Sequence, residues 1–292
     1  MEILQLKLIN YRNFQSLDLS FQNSGAILSG ANGSGKTNLL EAISLCAFGK
    51  SFQTSLDSEL INFQADALQV RTRFRLHDNL LDFQIKIDKK QKHVEINQSR
   101  IRKLSELYNY LKIIYFSPAD IQIAGGSPVF RRSFLDQALA QYSFSYLEML
   151  KNYYRILKQR NALLKNKFQI PEKKSWDEQL IQTGAKIIES RLDYLGYFQP
   201  LLLETYHLIS GGTEPLQIEY EYSFPRKSAG DLTTAFHDHL LKIEKEEIEN
   251  QRTLSGPHLD DLKFLLAGKS ARKYSSQGQK RSLVIALRLV QA

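Results

Sequence analysis

One cysteine, one tryptophan, two methionines and seven prolines are all that this 292-residue chain carries of those types. With Cys46 alone, no intrachain disulfide can form. That sets aside a secreted, disulfide-stapled scaffold and fits a reducing compartment. No stretch approaches the ~20 apolar residues that a membrane-crossing helix needs. The opening MEILQLKLINYRNF places Glu2, Lys7 and Arg12 among its apolar residues and so does not read as a signal peptide. The expectation is a soluble, cytoplasmic protein with no membrane partner. Internal repeats and low-complexity segments are absent as well.

The chain is 42% hydrophobic and 24% charged, enough for one large core or two modest domains. Its net charge of +8 favours an anionic partner, whether nucleic acid, acidic lipid or acidic protein. Apolar alternation predicts short strands over residues 3–8, 17–21 and 26–28. Leu39, Leu40, Ile43 and Ala47 then fall at helical spacing from Lys36 to Phe48. Strand, glycine-rich loop and helix follow in order. Residues 66–98 alternate again and read as an antiparallel meander, with a further strand expected over Leu111–Phe116. Helical tracts are expected over Arg131–Lys167 and Asp177–Ile209, separated at Pro171. A strand over Ile218–Phe224, a helix over Leu232–Glu249, a strand over Leu262–Leu266 and a helix from Lys280 complete the reading. That last helix shows no stop signal before Ala292, so the chain reads as a fragment.

Gly30-Ala31-Asn32-Gly33-Ser34-Gly35-Lys36-Thr37 matches G-x-x-x-x-G-K-[ST] in full. The glycines allow backbone N–H groups to converge on phosphate oxygens, and the helix N-terminus adds its dipole. Lys36 is placed to reach the β- and γ-phosphates of ATP, and Thr37 to offer its hydroxyl to Mg²⁺. An apolar strand ending in Asp or Glu, which many such sites use to hold Mg²⁺ through water, has no convincing copy here. Leu111–Phe116 ends in Ser-Pro, and Asp260-Asp261 precede an apolar stretch. The expectation is nucleotide binding without the full hydrolytic apparatus, which leaves enzyme activity open.

The segments NYRNF (10–14), GANGSGKTNLLEAI (30–43), GKSFQT (49–54), YFSPADI (115–121), GSPVFRRSFLDQAL (126–139), YYRILKQRNALL (153–164), WDEQL (176–180), GPHLDDL (256–262) and SSQGQKRS (275–282) occur in order. With them the chain resembles the RecF family of bacterial recombinational repair, within the SMC-like group of ABC-type ATPases. The resemblance implies an α/β P-loop fold of ABC/SMC-head type, with a mixed sheet core, an antiparallel subdomain and an inserted helical arm. It divides the chain into an ATP-binding lobe over 1–116, a mainly helical arm over 117–250 and a return to the ATPase core over 251–292. Such heads dimerise on ATP, each nucleotide lying between one subunit's phosphate loop and the other's signature. Here the signature corresponds to Ser275–Gln279. Ser276 would meet the partner's γ-phosphate, Gly278 would allow close backbone approach, and Gln279 would complete the contact. A plain polar turn is the alternative for this loop.

By the same resemblance Arg12 lies beside a phosphate and Asn13 beside the base or ribose, while Asp120 occupies the place of the Q-loop. A solvated edge is the alternative for Arg12, and a helix cap after Pro118 for Asp120. His258 and Asp260 read equally well as structural. Leu259 departs from the family's usual arginine, and the chain ends before the family's Asp-Asp strand, D-loop and switch histidine.

Lys151, Arg155, Lys158, Arg160, Lys165, Lys167, Lys173 and Lys174 form a basic tract in the arm, with Tyr153, Tyr154 and Phe168 among them and Glu172 as its one acid. Such a tract binds duplex phosphates with little base readout; a solvated face is the alternative. Lys269, Arg272, Lys273, Lys280 and Arg281 cluster beside the signature. The resemblance implies an ATP-dependent homodimer on double-stranded and gapped DNA, with roles in repair, replication-fork maintenance and the SOS response. It also implies mediator partners of the RecO and RecR type that support recombinase loading. The competing reading is a nucleotide-switched interaction protein whose arm binds protein.

Overall fold

The computed structural model describes every residue except 23–24, 55, 167–169, 213 and 227–230. It divides into two compact units, Met1–Ile113 and Ile114–Ala292. In the first, β1 (Glu2–Tyr11) and β2 (Phe14–Ser20) form a hairpin, followed by α1 (Lys36–Phe48), β3 (Ala67–Leu76), β4 (Asn79–Asp88), β5 (Lys92–Ile96) and β6 (Ser99–Arg100). The described strands make one antiparallel sheet in the order β2-β1-β3-β4-β5-β6.

Register sets what this sheet buries. Leu8, Val70, Ile85 and Val94 stand opposite one another across four strands, and Leu6, Thr72, Phe83 and Ile96 form the adjoining row. All eight are buried, as the period-2 alternation requires. The one polar member, Thr72, meets the Cys46 thiol of α1 at 3.3 Å, so the helix that follows the phosphate loop lies on this face.

Ala26–Leu28, expected as a strand, joins no ladder, and Ile27 is 97% exposed. Leu111–Phe116 likewise lies outside every strand. Apolar composition supplies propensity but not the neighbouring backbone that a strand must bond to.

The second unit runs α2 (Ile121–Gly125), α3 (Pro128–Tyr142), α4 (Phe144–Leu164), α5 (Ile170–Ser210), β7 (Leu216–Glu221), α6 (Leu232–Lys242), α7 (Glu244–Asn250), β8 (Asp261–Leu266), β9 (Lys269–Ser270), α8 (Ala271–Tyr274) and α9 (Gln277–Gln291). The first expected helical tract is broken at Ser143, whose hydroxyl accepts from Tyr146 N and caps a new helix. Pro171 does not separate helices. It sits in the first turn of α5, where a missing N–H costs little. The helix continues for 41 residues through Pro200, where the ring removes one i−4 hydrogen bond without ending it. Leu180, Ile188, Leu195, Phe198, Leu202 and Tyr206 recur at helical spacing and pack into the same core as Leu283, Val284 and Leu287 of α9.

Candidate nucleotide site and signature loop

In the first unit, residues 30–34 form an exposed stretch of loop that leads into the buried Gly35, the left-handed residue opening α1. Its φ of 99° suits glycine, and a Cβ there would lie 2.6 Å from the Phe14 ring and 2.7 Å from the Asn13 amide. Lys36 folds over the loop and donates to the carbonyls of Gly30 (2.7 Å) and Ala31 (2.8 Å). Its ammonium therefore lies over the loop that would cradle a phosphate chain. Thr37 is exposed in the first turn of α1, where its hydroxyl can meet a hard cation. The loop, the helix start and the lysine fit a nucleoside triphosphate.

Of the two residues in the β1–β2 turn, Asn13 reaches this loop and Arg12 reaches the helix behind it. Arg12 turns its guanidinium onto the fully buried Glu41 of α1, with Nε 3.0 Å from Oε2 and Nη2 2.7 Å from Oε1. Tyr11 and Ser51 hydroxyls donate to the same carboxylate. The hydrogen bonds that Arg12 donates to Glu41 raise its pKa further. Asn13 donates to Ser34 O at 3.2 Å and accepts from Asn38 at 2.9 Å, bridging the phosphate loop and α1. Glu41 was missed in the sequence, although a glutamate among apolar residues on the inward face of a helix is a signal for a buried partner.

Beside Asn13 lies an open cleft of about 600 Å³ lined by Phe14, Gln15, Ser16, Asn62, Phe63 and Gln64. It carries amides and two aromatic rings but no charge, and Phe63 is fully exposed. That chemistry suits a planar heterocycle. Asn62 holds the turn in place by donating to Arg12 O at 2.7 Å.

The second unit holds the other site residues. Ser276 caps α9: its hydroxyl accepts from Gln279 N at 3.2 Å, and Gln279 Oε1 accepts from Ser276 N at 2.6 Å. Ser276 and Gly278 are exposed. The SSQGQ segment is thus a capped helix start with its small residues outward. Asp120 is buried and takes the capping geometry after Pro118, accepting from Ser117 N at 2.7 Å. Its other oxygen accepts from Arg288 of α9 at 2.7 Å, and that guanidinium lies over the rings of Tyr115 and Phe134.

Asp260 is 1% exposed and accepts from Tyr220 Oη and Ser223 N, both at 2.7 Å; burial raises its pKa. His258 meets Tyr153 Oη at 2.7 Å, and burial pulls its imidazole down to about 4. Both therefore serve the interior. The RRSFLD and LDD stretches engage each other: Arg131 makes a bidentate pair with Asp261 (2.7 and 2.8 Å), and Arg132 donates to Asp260 O.

The basic tract divides. Arg160 is fully buried and donates to Asp177 at 2.6 Å, Glu247 at 2.5 Å and Thr253 at 2.7 Å. Lys173 is buried between Asp177 and Glu244. These two are corrected from DNA candidates to interior ion pairs. Their acids come from α5 and α7, beyond the tract, because a charge taken from water needs opposite partners. Lys151, Arg155, Lys158 and Lys165 remain exposed at intervals of four, three and seven residues, along one face of α4 and its C-cap. Lys174 is also exposed; Lys167 and Phe168 lie outside the described residues. In the second cluster Lys269, Arg272, Lys273 and Arg281 are exposed and Lys280 half-buried. No described helix is long and apolar enough to cross a membrane.

The profile of the family described as an AAA ATPase domain matches residues 1–269. The DNA replication and repair protein RecF of Lachnoclostridium phytofermentans is 38% identical over 297 residues, covering 100% of this chain and 80% of the relative. That of Prosthecochloris aestuarii is 37% identical, with 99% and 80% covered. The solved structure of the recombination mediator protein RecF with ATP, of the RecFOR pathway, superposes with a TM-score of 0.94 at 30% identity, over 99% of this chain and 80% of that one. The Smc head domain of Pyrococcus furiosus, at 17% identity, 99% and 78% coverage and a TM-score of 0.51, shares the fold alone. The chain has an α/β P-loop ATPase fold of ABC/SMC-head type with an inserted helical arm, and it belongs to the RecF family.

Proposed function

We propose that this protein is an ATP-controlled clamp on duplex DNA in recombinational repair. The observation that carries the reading is that one chain holds both halves of a composite site. A complete phosphate loop with Lys36 poised over it lies in the first unit, and a capped, outward-facing signature at Ser276 and Gly278 lies in the second. ATP binds along residues 30–37, with Mg²⁺ on Thr37 and the base in the cleft beside Asn13. A second copy supplies the signature. The arm's exposed basic face shares a compact unit with that signature, so closure on ATP and DNA binding are coupled there. Mediator proteins of the RecO and RecR type and gapped DNA are the partners this reading carries, in the cytoplasm.

The test is duplex-DNA affinity at fixed salt with ATP, with ADP and without nucleotide, for the protein and a Lys36→Met form. Strengthening by ATP that Lys36→Met abolishes is the expected result. Affinity indifferent to nucleotide, and to charge removal on α4, would replace the clamp with a nucleotide-switched protein-interaction module.

A further inference from the structure

The Gln279 carboxamide is engaged at both ends. Its oxygen accepts from Ser276 N, and its nitrogen donates to Oε1 of Glu214. Glu214 stands in the short connection from α5 to β7, after Gly211 and Gly212 turn the chain through positive φ. It lies close enough to Tyr206, near the end of α5, that its charge adds to burial in raising that phenol's pKa. The other carboxylate oxygen, Oε2, is buried with no hydrogen-bond partner among the described residues.

One oxygen of this carboxylate is thus out of water without a partner, and the hydrogen bond that the carboxylate does make goes to Gln279. That bond decides an orientation. A carboxamide has nearly the same shape when flipped, but only one way round does its oxygen face the Ser276 N–H. Flipped, it would set its NH₂ against another donor and lose the capping box. Glu214, an acceptor on the far side, selects the productive orientation.

We propose that Glu214 is a positioning residue for the signature loop. By fixing Gln279 it fixes Ser276, whose hydroxyl accepts from Gln279 N and keeps its own hydrogen for an outside acceptor. The assignment of that acceptor as a nucleotide phosphate on a second copy rests on the clamp reading; the orientation of the loop does not. Glu214 lies four residues beyond the end of α5, so its carboxylate adds a polar tie to the signature beside the core packing that α5 already shares with α9.

The experiment compares wild type, Glu214→Ala and Glu214→Gln by amide hydrogen exchange at Ser276 and Gln279 without nucleotide, and by sedimentation with ATP. Alanine is expected to speed exchange at those amides roughly fivefold, the scale of a lost helix cap. It should weaken ATP-dependent self-association by a similar factor and, at a dilution where the protein is monomeric, leave affinity for a fluorescent ATP analogue unchanged. Glutamine, whose amide oxygen still accepts from Gln279, should restore both. Unchanged exchange in the alanine form, or faster exchange along all of α9, would overturn the proposal. If the cap responds as expected but wild type does not self-associate with ATP, the positioning role stands and the clamp reading falls.

Discussion

Arg12 and Glu41 face each other across the root of the phosphate loop, the arginine from a strand turn and the glutamate from the helix that the loop opens. Glu41 is fully buried and also receives Tyr11 and Ser51 hydroxyls, so removing it takes the acceptor from two O–H groups and leaves the guanidinium only its bond to Glu59 O. Glu41→Ala is expected to lower unfolding free energy by about 3–5 kcal/mol, the range for breaking a buried pair from one side. Urea denaturation measures it; a loss under 1 kcal/mol, the scale of an exposed pair, would place the pair in water.

Gly35→Ala adds one methyl group where the backbone is left-handed and Phe14 and Asn13 already fill the space. The loop must shift, and Asn13 must release Ser34 or Asn38. ATP affinity should fall at least tenfold, equivalent to about 1.4 kcal/mol. Equilibrium binding of a fluorescent ATP analogue gives the answer, and wild-type affinity would show that the loop tolerates a side chain there.

His258 ties stability to acid. Its imidazole titrates at about 4 when folded, against an ordinary 6.5, so the unfolded chain binds the proton first as pH falls. The stabilisation is complete above 6.5 and is lost down to about 4, amounting to about 3 kcal/mol at most. Asp260, held above its ordinary range by burial, works in the opposite sense. The difference between wild type and His258→Gln therefore isolates the histidine. Denaturation at pH 7.5 and 4.5 should show the variant losing less stability than wild type.

Basic residues along α4 and its C-cap have two fates. Charge reversal at Lys158 or Lys165 should leave thermal stability within a few tenths of a kcal/mol and reduce the salt dependence of DNA binding by about one ion per lysine. Arg160→Ala should instead cost about 3–5 kcal/mol of stability, since it abandons Glu247 and Asp177 in the interior. Binding titrations over a salt series, run beside melting curves, separate the two.

The meander over 66–98 and the phosphate loop were legible because each depends on local pattern: alternation against one face, and glycines at fixed offsets from a lysine. The interior ion pairs were not. Arg160 meets Glu247 across 87 residues and Arg131 meets Asp261 across 130, and sequence spacing carries no trace of such partners. Two arginines in RRSFLD and two aspartates in LDD were visible separately, but their complementarity only became apparent in three dimensions. The same limit applies to Ala26–Leu28, whose strand-like composition needed a neighbouring backbone. Pro171 misled for a local reason, since in the first turn of a helix proline gives up only an N–H that has no intrahelical partner.

The ammonium of Lys36, resting on the carbonyls of Gly30 and Ala31, makes ligand capture a substitution. An incoming phosphate chain must draw the lysine off two oxygens that then face its own negative charge. Net heat release on binding will accordingly be smaller than a count of new contacts suggests. The loop will also discriminate by chain length, because only a ligand long enough to hold the ammonium through its terminal phosphates recovers what the carbonyls lose.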